Sequence, residues 1–159
     1  MFISLLTGKD AKRTDTIRTL LEQEKKGLIK IAISTFVIAE VRPGESNPNL
    51  ENKQFQMAVE LLDSDRLDVW VLTPQIAQEA QEIGRRFPRL LPGDCIHIAT
   101  AIAAGTAALF TFDGVGPKRR RPSDMIAHSG KIGNPPLKIC EPFLPVGPLF
   151  TKNSESSPR

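Results

Sequence analysis

Three acidic residues of this chain stand at the margins of apolar segments instead of among other charges: Glu40 in IAISTFVIAEV, Asp94 in PGDCIHIATAIAAG and Asp113 in LFTFD. Such placement is unusual for a carboxylate that only solvates a surface. Carboxylates gathered in one place repel, because ionising one disfavours ionising its neighbour. A divalent cation resolves that conflict. Mg2+ and Mn2+ take oxygen ligands in octahedral geometry and usually keep waters, one of which can attack phosphorus in line. Each acid also has a plainer reading. Asp94 can be a helix N-terminal acid complementing the dipole, worth ~0.3–1 kcal/mol, Asp113 a turn former before Gly114, and Glu40 a solvated helix residue.

Other side chains offer less. His97 lies one turn after Asp94, where it can reach the acids as a proton shuttle or phosphate contact, although a hydrogen-bonded packing histidine is the plainer reading. His128 falls in a polar stretch and receives no role. Cys95 and Cys140 lack CxxC or Cys/His ligand spacing, so reduced, buried thiols are expected. The net charge is +3. Without Lys118, Arg119, Arg120 and Arg121 the chain would be net negative, so its basicity is local. That run suits an RNA-docking patch, and an ordinary solvated loop accounts for it equally well. There is no Tyr, and the one Trp, Trp70, sits in a segment expected to be buried, so base-stacking platforms are not visible.

The elements that must position these groups follow from pattern. Asp15 to Lys26 repeats apolar residues at helical spacing up to Gly27; Leu28 to Ile33 reads as a strand; Ser34 or Thr35 caps a brief helix over Phe36 to Val41. A helix is expected over Glu51 to Asp65 and a strand over Val69 to Leu72. Thr73-Pro74 opens a helix to about Arg86, since proline at the first helical position sacrifices an amide that has no partner there. Pro92-Gly93-Asp94 introduces an alanine-rich helix ending at Gly105. A strand over Ala108 to Phe112 delivers Asp113, Gly114 to Pro136 is expected to be irregular, and a last strand covers Leu137 to Cys140. Helices alternating with continuously apolar strands argue for a parallel sheet covered on both faces, where ligands gather beyond the carboxyl ends of the strands.

With 159 residues, 40% hydrophobic and 25% charged, the chain matches one domain, here bounded as residues 1–150 with a polar, disordered tail over 151–159. No apolar stretch approaches the roughly 18 residues of a membrane helix, and the opening residues lack a basic region and cleavage site, so a soluble cytoplasmic protein is expected.

A Ser/Thr-rich strand-to-helix turn ending in Glu, the Asp94-x-x-His97-Ile98-Ala99-x-Ala101 helix and the Thr111-x-Asp113 strand end together resemble the PIN-domain family. The likeness runs from Met1 to about Pro145 and is most specific between Asp94 and Asp113. It implies a three-layer α/β/α sandwich around a central parallel sheet and metal-dependent endonucleolytic hydrolysis of RNA. On the family's pattern Glu40, Asp94 and Asp113 are ligands of Mg2+ or Mn2+, direct or through water, and Ser34 and Thr111 are hydrogen-bonding supports behind them. Small PIN proteins resemble VapC-type toxins, which implies an antitoxin partner and a homodimer.

One departure stands at the beginning. The family opens with a central strand ending in Asp, followed by an apolar stretch like Phe2 to Leu6; here Met1 stands where that motif should just have ended, and Asp10 and Asp15 both come too late to replace the acid. The expectation is therefore an N-terminally truncated PIN domain lacking its first strand, whose buried aliphatic side chains would rival the net stability of a whole domain. Two rivals stay open: a catalytically inactive PIN-like module that binds RNA or protein, and a small-molecule-binding α/β domain, which no GxGxxG or Walker-type loop supports.

Overall fold

The computed structural model describes residues 11–40, 60, 65–114 and 124–144. In chain order these form α1 (Ala11–Lys25), β1 (Ala32–Ser34), α2 (Phe36–Glu40), β2 (Asp68–Trp70), α3 (Pro74–Arg86), α4 (Pro92–Ala103), β3 (Ala108–Phe110), a 3-10 turn (Ile126–His128) and β4 (Lys138–Cys140). The protein is mixed α/β with parallel strands. β1 pairs with β2, aligning Ile33 with Val69, and β3 pairs with β4, aligning Leu109 with Ile139. Among the described residues these are two separate parallel pairs and not one continuous sheet.

Helix starts follow local chemistry. Thr73 has extended backbone angles, its hydroxyl accepts the Ile76 N–H at 3.3 Å, and Pro74 takes the first helical position of α3. Ile76, Ala80 and Ile83 then recur at helical spacing and are buried. They pack on α4, which buries Cys95, Ile98, Ala99, Thr100 and Ala101. The small residues of α4 and Gly84 of α3 allow close approach: a Cβ at Gly84 would stand 3.5 Å from the Cys95 Sγ. Met125, Ile132, Leu137 and Ile139 complete this core. The segment expected to be irregular is thus tied down by Met125 and Ile132 around the 3-10 turn. α4 also packs against both β1 and β3, so one helix spans the two strand pairs.

Several expected bounds move. α1 begins earlier, at Ala11, and stops at Lys25, with Gly27 at φ +70° turning the chain out. The strand expected from Leu28 starts only at Ala32, because Leu28 to Ile31 carry the chain from the helix end to the sheet; Leu28 is accordingly exposed. The stretch around Trp70 is not the buried strand its composition suggested. Asp68 and Val69 are exposed, as are Val71 and Leu72 just beyond β2, and Trp70 is only half-buried, its Nε1–H donating to Asp68 Oδ2 at 2.8 Å. β2 has a strand partner on one edge only among the described residues. Of the helix expected over Glu51 to Asp65, Glu60 is helical and Asp65 lies in a turn; the rest lies outside the described residues, as do Phe2 to Leu6, Lys118 to Arg121 and the 151–159 tail.

Candidate nuclease site

Glu40 is the last residue of α2, a helix of five residues that follows β1 after a single intervening residue. Ser34 makes that tight junction. Its hydroxyl, almost fully buried, accepts the Phe36 N–H at 3.1 Å and so holds the strand-to-helix corner. The α2 helix lies against α4, and there Glu40 Oε2 accepts a hydrogen bond from His97 Nε2 at 2.8 Å. The carboxylate can only accept, which assigns the proton to Nε2. The Phe36 ring stands 5.7 Å from the His97 ring, inclined at 59°.

Asp94 occupies the first turn of α4, where its Oδ2 accepts the Leu91 N–H at 2.9 Å. The capping role is therefore real. It sets Asp94 at the positive end of the helix, one residue from Gly93 and three from His97, the two α4 residues that Glu40 approaches. Asp113 follows β3 at a turn. Its own N–H donates to the Thr111 hydroxyl at 3.0 Å, and its Oδ2 accepts the Met125 N–H at 3.1 Å. Ser34 and Thr111 thus play the same local part at two strand ends: a buried hydroxyl accepting the amide two residues on.

The structure brings Glu40 to the face of α4 that begins at Gly93 and includes His97. It ties Asp113 instead to the Met125 segment. The carboxylate oxygens are the hard donors Mg2+ and Mn2+ prefer. Among the described residues no three His, Cys, Asp or Glu side chains stand close enough together to hold an ion unaided. For Mg2+ that is compatible with a site, because the ion is usually held by one or two carboxylates together with waters and substrate phosphates.

Two contributors were not foreseen. By sequence Gly93 is only part of the helix start Pro92-Gly93-Asp94, yet a Cβ there would stand 3.0 Å from Phe36 Cε1 and 3.3 Å from Glu40 Oε1. Phe36 is by sequence only the start of the brief helix, and it braces His97. The only signal for either is proximity across the fold, which spacing along the chain does not encode. His128, given no role, packs edge-on against Phe87 at 5.1 Å, with its Nδ1 buried and without a hydrogen-bond partner among the described residues. A shallow groove of about 400 Å³ lined by Gln75, Glu79, Arg86, Lys131 and Asn134 lies between α3 and the segment before β4 and includes none of the three acids.

The PIN domain family model matches residues 1–118, well over half of the chain. That span contains Ser34, Glu40, Asp94, Thr111 and Asp113; it ends at Lys118, before Arg119 to Arg121 and before β4. No curated protein and no solved structure gives a significant match. With its parallel strands and a family match over most of its length, this chain belongs to the PIN domain family, a family of nucleases.

Proposed function

We propose that the protein is a metal-dependent endoribonuclease hydrolysing RNA phosphodiester bonds, with Glu40, Asp94 and Asp113 as ligands of Mg2+ or Mn2+, direct or through water. The observation that carries this reading is the seating of Glu40 against the first two turns of α4, the helix that holds Asp94, inside the span of the nuclease family match. A cation held there would polarise a phosphoryl group and acidify water. The chain's own residues supply the rest: Asp94 is locked to the Leu91 amide, Asp113 is locked through Thr111 and Met125, and Glu40 is held by His97. Lys118 to Arg121 follow Asp113 closely enough in sequence to neutralise the phosphates of an incoming RNA. The toxin form of this reading brings with it an antitoxin partner, a homodimer and a cytoplasmic location. No helix among the described residues is long and apolar enough to cross a membrane.

The same reading treats the two strand pairs as flanks of one central sheet in a three-layer sandwich. α4 packs on both β1 and β3, and each of these has an edge without a strand partner among the described residues. The reading requires one further strand between them.

Incubation with single-stranded RNA and Mn2+ tests the activity. Asp94→Asn keeps an oxygen to accept the Leu91 N–H and removes the charge, so it should fold normally and lose cleavage by roughly 100-fold or more. Binding without turnover by the parent chain would favour an inactive RNA-binding module, and equal cleavage by parent and variant would remove Asp94 from the site.

A further inference from the structure

Glu40 reaches its place on a long, flexible side chain from the end of a five-residue helix, and that side chain is 39% exposed. Left alone, such a side chain samples many rotamers, and a cation that needed one of them would bear the cost of ordering it. Here three neighbours have already done the ordering. His97 Nε2–H holds Oε2 at 2.8 Å. The His97 side chain is itself only 18% exposed, and its ring is braced by Phe36 across 5.7 Å. Gly93, one turn earlier on the same face of α4, leaves open the space into which Oε1 projects, since a Cβ would stand 3.3 Å from that oxygen.

The two oxygens of Glu40 are therefore not equivalent. Oε2 is committed to the imidazole, and Oε1 faces the N-terminal turn of α4, beside the residue that precedes Asp94. We propose that His97 is a positioning residue for the nuclease reaction: by hydrogen-bonding Glu40 Oε2 it presents Oε1 as a monodentate cation ligand on the Asp94 side of the site. This rests on the reading of Glu40 as a cation ligand given above. It assigns His97 neither to the cation nor to proton transfer. A group that orients a ligating carboxylate in this way typically changes metal affinity by about 10–100-fold when removed.

The test is Mn2+ affinity, measured by calorimetry on the whole chain, beside thermal unfolding without metal. His97→Phe keeps a ring against Phe36 and removes the donor; His97→Gln places an amide N–H near the position of Nε2. The expected result is Mn2+ binding about tenfold weaker in His97→Phe and largely restored in His97→Gln. In a Glu40→Gln background the His97→Phe change should have no further effect, because its action runs through Glu40. Should His97→Phe fail to fold, His97→Asn, whose shorter amide falls short of Glu40, takes its place with the same expectations. Parent-like Mn2+ affinity in the variant lacking the donor overturns the proposal, as does an effect that persists in Glu40→Gln. If Glu40→Gln alone leaves Mn2+ binding unchanged, or the parent binds no Mn2+, the underlying reading of Glu40 fails, and the proposal with it. A weakened Glu40→Gln beside an unaffected His97→Phe sinks the proposal alone.

Discussion

At the scale of single residues, the site depends on what is missing at position 93 as much as on what is present around it. Alanine is favoured over glycine inside a helix by about 1 kcal/mol, so on propensity alone Gly93→Ala should stabilise α4. The new methyl would meet Phe36 Cε1 at 3.0 Å and Glu40 Oε1 at 3.3 Å, closer than carbon and oxygen settle without displacement. The ring and the carboxylate must give way. The expected outcome is a chain that binds Mn2+ and cleaves RNA less well, whichever way its unfolding temperature moves; a variant with unchanged Mn2+ affinity would show that Glu40 tolerates a shift. Asp94 illustrates why a structural and a chemical role need not exclude each other. One oxygen accepting an amide fixes the side chain, and on the proposed reading the carboxylate can still serve a cation.

At the scale of elements, α3 is held at its start by Thr73 and along its length by Ile76, Ala80 and Ile83. Thr73→Ala should cost ~1 kcal/mol, read as a lower midpoint in denaturant with unchanged slope. The strands make a sharper prediction. Asp68 N–H bonds to the Ile31 carbonyl and Thr35 N–H to the Trp70 carbonyl, so alternation along β1 points Ile33 toward β2 and turns Ala32 and Ser34 to the other edge. Thr111 N–H bonds to the Cys140 carbonyl, which by the same alternation turns Ala108 and Phe110 away from β4. If a strand lies between β1 and β3, as the sandwich reading requires, amide exchange at Ala32, Ser34, Ala108 and Phe110 should be as slow as at Ile33 and Leu109. Fast exchange at those four positions beside slow exchange at their neighbours would mean two independent pairs.

At the scale of the whole molecule, the thiols link stability to pH. Burial pushes the Cys95 thiol up, with the nearby Asp94 charge adding to it, and burial does the same at Cys140. The folded state therefore keeps protons that the unfolded chain gives up once pH rises past the ordinary thiol range. Below that range both states are protonated and the thiols leave stability unchanged; above it stability falls until the folded thiols also ionise. The chain has no tyrosine, so lysines are the chief competing alkaline titration. Urea midpoints should hold steady near neutrality with respect to these groups and decline toward about pH 10, with a smaller decline in Cys95→Ala. An equal decline in that variant would assign the effect elsewhere.

Wherever structure depends on neighbours along the chain, the sequence was enough. Thr73-Pro74 and Pro92-Gly93-Asp94 mark helix starts because capping uses residues within one turn, and the parallel α/β class follows from helices alternating with short apolar strands. The first strand and the environment of Trp70 were misread for a related reason: apolar composition says that a segment can be buried, and only the placement of neighbouring strands decides whether it is. The three acids were conspicuous by their positions. That His97 can reach an acid was legible from its place one turn after Asp94; that it bonds Glu40, 57 residues away, was not, and the tight space at Gly93 exists only once α2 lies against α4. Local chemistry is written in consecutive residues, whereas the orientation of a side chain such as Glu40 is set by packing between elements, and that information resides in the tertiary structure alone.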